Sequence, residues 1–475
     1  MGYNTTRTRA IGEQAPDVLK AFNKDQLLLG ATCNTNCLFS MKKFLFCIAF
    51  IYAIGSSNSM SQAKGQLVYT SDIDNFWKAY DSLQTTSDSL RQLSFIQNLY
   101  ISKGTPGLQA FMKARNYYGP LWVKLIRAYP KFWQSIRPNT LAVKNKAAAI
   151  ESTIEKFKQL YPALKPATMY FTIGGLRSGG TTTGNMVLIG AEIATGNAST
   201  DVSEFTSKWL AGVFKEQSEE NVVPLNIHEY VHTQQQGEGN SLLAQAITEG
   251  SCDFITELVI GNPMQSNYIN YGKAHEAELK ASFMKEMFSD YYNRWLYNGS
   301  NTTEVADLGY FMGYSICKSY YNQATNKKQA IKNIIELNYA DTNAVEAFLV
   351  TSGYYTESFD KTSLRSALIK NLPEVTGISP TINGSDLTDS GLRELTILFS
   401  KEMNPNVFSI SMGKQGKHFY PIEKVKGFAP DNKSFTVYVR LESNHSYEFI
   451  VTSMSFASKG GFPLKDNYEV KFKTR

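Results

Sequence analysis

The sequence predicts an α+β domain, mostly helical with a small β-sheet, followed by an all-β sandwich. Apolar residues recur at helical intervals over 72–160 and again over 275–370. Between these regions, two runs rich in β-formers, Ala167 to Ile173 and Asn185 to Ile193, flank a glycine-rich stretch. Near Leu372-Pro373 the helical spacing stops, and from Thr376 short alternating segments are separated by Gly, Asn, Asp and Pro turns.

At 475 residues the chain has room for two or three domains with ample core. Its hydrophobic fraction of 43% is that of a folded protein. No segment approaches the ~18 consecutive apolar residues of a membrane helix. The formal charge of +6 is spread without a long basic run, so nucleic acid is not an expected partner; the excess suits loose attraction to acidic envelope polymers.

Met41-Lys42-Lys43, the apolar stretch Phe44 to Ile54 and the small and polar residues after it have the layout of a secretory signal peptide, with cleavage near Ser61-Gln62-Ala63. Residues 41–63 are therefore read as a signal peptide, residues 1–40 as an extension ahead of the natural start, and the mature chain as exported to the periplasm, cell surface or medium. Cys47 lies inside the apolar stretch and lacks the small residues that precede a lipidated cysteine, so lipidation is not expected. Cys33 and Cys37 fall in the extension, leaving Cys252 and Cys317, which a single disulfide could join.

Residues 64–372 form the first domain of this reading. In its leading part Phe76-Trp77, Leu90, Leu93, Leu99, Leu108, Phe111, Leu121, Ile126, Phe132 and Ile136 recur at helical intervals, as in helices that wrap a core. Gly174 to Gly184 reads as a loop between two strands. It lacks the terminal Gly-Lys-Ser/Thr of a phosphate loop and the dinucleotide Gly-x-Gly-x-x-Gly order. An edge strand here would suit pairing with an extended peptide, and a hairpin remote from any site is the alternative.

His228-Glu229-Tyr230-Val231-His232 describes a complete piece of chemistry. Histidines four apart on a helix lie about 40° apart around the axis, so both imidazoles reach one metal ion. The glutamate between them is placed to take a proton from zinc-bound water, which points to a zinc hydrolase. On a helical wheel with Val223 as origin, Ile227, Tyr230 and Val231 fall within roughly 80°, while His228, Glu229 and His232 fall at roughly 140–240°. The core face and the metal face are thus opposite. Pro224 fits only a first turn, Asn221 is a candidate N-cap, and Gly237-Glu238-Gly239 ends the helix after Gln236.

A catalytic zinc keeps three protein ligands and an open position. Glu249 is the best candidate for the third. Ser241 to Val259 reads as a second helix with Leu243, Ile247, Phe254 and Leu258 on one apolar stripe and Glu249 and Asp253 beside it. Gly250 interrupts that stripe at a cost of about 1 kcal/mol relative to alanine, as expected where two helices approach closely.

Glu249-Gly-Ser-Cys-Asp253, downstream of His232, resembles the gluzincins, the thermolysin-like zinc metallopeptidases. The resemblance implies a zincin-like fold for the first domain, Glu249 as third ligand, and Asp253 as the acceptor that holds His228. Such an acceptor is what a ligating imidazole needs at its other nitrogen. Gly174-Gly175, Gly179-Gly180-Thr181-Thr182-Thr183, Leu188-Ile189-Gly190 and Gly309-Tyr310-Phe311-Met312-Gly313-Tyr314 are also similar to predicted zinc-dependent proteases of bacterial envelopes, a group related to gliding-motility lipoproteins.

Peptide hydrolysis by this chemistry needs a donor to the oxyanion. Tyr310 and Tyr314 are the candidates, on a segment where Gly309 and Gly313 would let a helix pack close to the metal helix; His275, on what looks like an exposed helical face, is a lesser one. Cys252 reads as a buried structural thiol, since no Cys-His catalytic pattern accompanies it. The tyrosine pairs Tyr291-Tyr292 and Tyr320-Tyr321 suit either a substrate cleft or core packing.

In residues 376–475 the clearest strands are Leu395 to Phe399, Phe435 to Val439, Tyr447 to Thr452 and Tyr468 to Phe472, and His418 and His445 read as surface residues. Phe399-Ser400-Lys-Glu-Met403-Asn404, Leu441 with Tyr447, Gly460-Gly461 and Phe472-Lys473-Thr474 resemble a bacterial immunoglobulin-like domain of the surface-layer type. The resemblance implies an immunoglobulin-like sandwich that places or spaces the enzyme at the envelope. The expected function is zinc-dependent peptide hydrolysis with Glu229 as general base, Zn2+ as cofactor and a peptide or protein as substrate. Absence of the Gly-x-Met-Glu-Asn signature that the aminopeptidases of the group use favours an endopeptidase. A catalytically silent envelope interaction protein that keeps the fold, and an adhesive or glycan-binding protein centred on the sandwich, are the other two classes.

Overall fold

The computed structural model describes residues 66–216, 218–299 and 305–475. The extension, the signal segment and Cys33, Cys37 and Cys47 lie outside them. The chain runs through a mostly helical region and then a β-sheet region, as the change of sequence pattern predicts.

Helices run from Ser71–Leu83 to Ala147–Leu160, and their starts carry local signals. Asp88 Oδ1 accepts from the backbone N–H of Leu90 and Arg91, Thr105 caps Pro106–Arg115, and Pro106, Pro120 and Pro130 each stand in a first turn. Their inward faces meet in an aromatic cluster in which Phe76 lies 5.2 Å from Trp133 and 5.3 Å from Tyr100 between ring centroids. These helices cover a four-stranded sheet of β1 (Val68–Tyr69), β2 (Thr168–Thr172), β3 (Gly180–Thr183) and β4 (Met186–Gly190), in the order β1-β2-β4-β3.

The glycine-rich stretch is therefore only partly a loop. Thr181-Thr182-Thr183, β-branched throughout, extends as β3 and pairs antiparallel with β4, with Thr183 opposite Met186. Gly184, at φ +56°, supplies the turn between them. β2 and β4 pair in parallel, so β3 is left at the edge of the sheet. Residues 174–176 are held by Glu192, whose buried carboxylate accepts from the N–H of Gly174 (2.7 Å) and Leu176 (3.1 Å). Burial pushes the Glu192 carboxyl up to about 7, against the opposing pull of those N–H groups.

Later helices include Leu242–Ile260, Leu308–Gln323, Lys327–Ile335, Thr342–Thr351 and Lys361–Lys370. The second helical region is interrupted over a wide stretch, since no described residue between Met287 and Asp307 is helical. The break near Gly353 coincides with its φ of +58°. Gly250 and Gly313 lie where two helices cross closely. A Cβ on Gly250 would stand 2.0 Å from Tyr314 N, and one on Gly313 1.7 Å from Ala246 O. The Leu308–Gln323 helix thus packs on Leu242–Ile260, where the sequence reading had it against the metal helix. Tyr320 packs on Phe348 and Tyr321 on Phe254, so these tyrosines serve the core. Cys252 and Cys317 are both buried and unbridged, so the disulfide that could have joined them is not formed and Cys252 is the buried thiol its sequence suggested.

The β region contains β5 (Val375–Ser379), β6 (Glu394–Phe399), β7 (Met403–Phe408), β8 (Ser411–Met412), β9 (Ile422–Phe428), β10 (Ser434–Val439), β11 (Ser446–Val451), β12 (Phe456–Ser458) and β13 (Tyr468–Lys473). One sheet has the order β5-β6-β10-β9 and another β13-β11-β8, with β12 and β7 paired separately. Alternate residues Leu395, Ile397, Phe435, Val437, Phe449, Val451 and Val470 point into one shared core. Tyr447 buttresses one end by accepting from Glu442 N–H at 2.7 Å.

Candidate metal centre

The helix that carries His228, Glu229 and His232 spans Val222–His232 and grows from a 3-10 turn, Glu219–Asn221, that Ser218 caps. Asn221 makes no side-chain cap, contrary to the sequence reading, while Pro224 does stand in the first turn. The helix also ends at His232 rather than Gln236. After it, Gln235 turns its amide onto the second helix, donating to Thr248 O (2.8 Å) and Ser251 Oγ (2.9 Å), and Gln236 bridges to Asn338. Both faces of the wheel are buried, because Leu242–Ile260 lies over the histidine face.

That second helix starts at an N-cap, Ser241, whose Oγ accepts from Ala244 N–H, and stops at Gly261 in the left-handed conformation. It brings Glu249 and Asp253, one turn apart, to the two histidines. Glu249 Oε2 lies 3.3 Å from His228 Nε2 and 3.1 Å from His232 Nε2, and the two Nε2 atoms are 3.2 Å apart. Three donor atoms therefore form a nearly equilateral triangle. Four-coordinate zinc with bonds of about 2.0–2.1 Å has ligand–ligand edges of about 3.3 Å, so the donor set fits the ion in both chemistry and spacing.

Each imidazole is fixed from behind. Asp253 Oδ1 is 2.7 Å from His228 Nδ1, and Tyr268 donates to Asp253 Oδ2 at 3.0 Å. Gln235 Oε1 is 2.7 Å from His232 Nδ1. Because the Gln235 nitrogen is already donating to Thr248 O, its oxygen must accept, which puts the His232 proton on Nδ1 and the lone pair on Nε2. Burial alone would push the His228 imidazole pKa down, yet the adjoining carboxylates of Asp253 and Glu249 hold it up to about 10.

The Glu229 carboxyl group lies against the edge strand: a Cβ added at Gly180 would fall 3.1 Å from Glu229 Cδ and Oε1. Tyr310 stands beside the centre, its ring stacked on His228 at 6.1 Å and 24°. Tyr314 does not. Its hydroxyl donates to Glu257 Oε2 (2.7 Å) and accepts from Lys318 Nζ (2.7 Å), so the expectation of Tyr314 as oxyanion donor is corrected: its phenol is committed elsewhere on the second helix. His275 is exposed, and His418 and His445 pack against each other in the β region.

Cys252 also approaches the histidines, and His228, His232 and Cys252 could be grouped as a metal-binding trio. The geometry favours Glu249 instead. Cys252 Sγ sits 3.3 Å from His232 Nδ1, the side already facing Gln235, whereas the Glu249 oxygen lies on the Nε2 side of both rings. Tyr297, Tyr268 and Gln235 are the site residues that sequence reasoning missed. Gln235, three residues after His232, had a helical-spacing signal; Tyr297 comes from a non-helical segment and had none.

Residues 72–354 match the family described as Gliding motility protein GldB. The chain belongs to that family. The family is one of envelope lipoproteins, and the protein is accordingly exported to the envelope. Cys47, read above as not lipidated, lies outside the described residues and outside the residues that match the family. No curated protein matches the chain. Among solved structures it is similar to a recombinant S-layer protein SbsC (12% identity, 86% of this chain and 45% of that one, TM-score 0.17) and to the N-terminal part of the bacterial S-layer protein SbsC (12% identity, 56% and 62%, TM-score 0.16). The chain spans less than two thirds of either, and likenesses at such scores carry no argument about the fold. Among the described residues no helix is long and apolar enough to cross a membrane.

Proposed function

We propose that this envelope protein is a zinc-dependent peptidase held by His228, His232 and Glu249 as ligands. On this reading residues 64–372 are a zincin-like domain of the gluzincin kind, and residues 376–475 are an immunoglobulin-like module that places it at the envelope. The observation that carries the proposal is the triangle of donor atoms, 3.1–3.3 Å on each side, with Glu229 beside an edge strand. Zinc bound there supplies Lewis acidity toward a water and a carbonyl oxygen.

The chain's own residues account for the remaining requirements. Asp253 and Gln235 aim the two imidazoles. Glu229 accepts the proton of the attacking water and delivers it to the leaving amine. β3, at the edge of its sheet, offers an extended peptide a strand to pair with beside Glu229. Tyr310 is the nearer of the two tyrosines considered for the oxyanion.

Family membership favours a second reading, an envelope interaction role in gliding in which the site binds metal without turnover. One experiment separates them: zinc stoichiometry of the purified protein, with mass-spectrometric mapping of cut sites in a peptide library, for wild type, wild type with chelator, and Glu229→Gln. The peptidase reading expects about one zinc per chain, chelator-sensitive cuts, and loss of cutting with zinc retained in Glu229→Gln. Stoichiometric zinc without cuts supports the interaction role. A wild type without zinc refutes the metal centre.

A further inference from the structure

Glu249 presents one oxygen to the histidines, and its other oxygen is not left to solvent. Oε1 accepts from the Tyr297 hydroxyl at 2.7 Å, while Oε2 faces both Nε2 atoms. A carboxylate so divided is fixed in rotation about its terminal bond and presents a single ligand oxygen. The longer contact of the same hydroxyl, 3.3 Å to Gln245 Oε1, is the weaker competitor for its one proton.

The tyrosine is held at a backbone cost. Its φ is +58°, a left-handed conformation that a bulky residue rarely adopts and that persists only where surrounding structure imposes it. The imposing contacts are on both sides. Asn298 donates to Arg294 O (2.7 Å) and accepts from Asp307 N–H (2.8 Å), closing the segment on itself. Arg294, three residues before Tyr297, pairs with Glu286, donates to Gly460 O of the β region (2.6 Å) and rests its guanidinium 3.9 Å from the Phe462 ring. The turn at Gly460-Gly461-Phe462 thereby grips the segment that carries the hydroxyl facing the metal ligand.

We propose that Tyr297 is a positioning residue of the metal centre, holding Glu249 in its ligand orientation, and that the C-terminal module braces it there through Arg294. The inference rests on the metal reading above. It assigns the module a part in building the site in addition to any part in placement.

The test is a competitive chelator titration of full-length wild type, Tyr297→Phe, Phe462→Ala and the double variant, each with the melting temperature of its metal-free form. Tyr297→Phe keeps the ring contacts with Tyr292 and Tyr310 and removes only the hydroxyl. It is expected to weaken zinc binding roughly 10–100-fold, the usual effect of losing a partner behind a ligand, with little change in metal-free melting. Phe462→Ala is expected to weaken binding several-fold, on the order of what loosening one brace removes, and the double variant to bind no more weakly than Tyr297→Phe alone. Wild-type affinity in Tyr297→Phe overturns the positioning role. Losses that multiply in the double variant overturn the bracing route, because they would act independently of Tyr297. A wild type that binds no zinc sinks the metal reading as well, so the two failures are distinct.

Discussion

Gly313→Ala tests the crossing that sets the helix Leu242–Ile260 in place. On an exposed helix the substitution would stabilise by about 1 kcal/mol through helix propensity alone. Here the new methyl group would stand 1.7 Å from Ala246 O, 2.4 Å from Ala246 C and 2.9 Å from Ile247 N, all backbone atoms of the helix that carries Glu249 and Asp253. No rotamer change relieves such contacts. Restoring ordinary separation requires the helices to part by about 1.5–2 Å, and overpacking of this kind costs about 1–3 kcal/mol or more, with the rigid backbone at the upper end. Against the propensity gain, we expect a net loss of about 2 kcal/mol. That corresponds to a fall of about 3–6 °C in the melting temperature of a domain this size, followed by circular dichroism. Zinc affinity should fall with it, since the displaced helix carries Glu249, the proposed third ligand, and Asp253, which lies against His228. Gly212, inside Lys208–Glu216 with open space where its Cβ would stand, is the control; Gly212→Ala should be neutral or raise the melting temperature. Equal melting of Gly313→Ala and wild type, or a rise, would refute the close-crossing argument.

Two further outcomes follow from groups away from the ligands. Glu192 has its carboxyl raised by burial to about 7 from 4.5, so between those values the folded chain holds a proton that the unfolded chain has lost. Stability from this group is full below about pH 4.5 and is lost as pH rises through about 7, by on the order of 3 kcal/mol; Glu192→Gln should flatten melting temperature against pH over that window, and an unchanged slope would count against the assignment. Tyr314→Phe removes a hydrogen bond to the Glu257 carboxylate that Lys318 continues to pair at 3.0 Å. We expect a loss of about 1–2 kcal/mol in stability with zinc content and any turnover unchanged; turnover that collapses while the fold survives would place the phenol at the site after all.

What the sequence by itself determined was local. Two histidines four apart share a helix face, and Glu249 and Asp253, also four apart, share another, because 3.6 residues per turn is a property of the backbone. Ser241 and Gly261 bound the second helix for equally local reasons, and the alternating apolar residues of β6, β10, β11 and β13 declare a half-buried strand wherever they occur.

Tertiary structure decided everything that depends on which elements meet. Gly250 announced a close approach, but only the packed chain shows that its partner is Gly313 on Leu308–Gln323. Tyr310 and Tyr314 lie about one helical turn apart, some 6 Å. That offset sets Tyr310 against His228 and leaves Tyr314 with Glu257. The first helix stops at His232 because Gln235 and Gln236 find partners on other elements, and no local rule encodes those partners. Tyr297 reaches Glu249 from a non-helical segment, through a backbone conformation it would not choose alone. Helical phase is written in successive residues, whereas the closing of a carboxylate ligand by a distant hydroxyl exists only once the helices and the β region have packed.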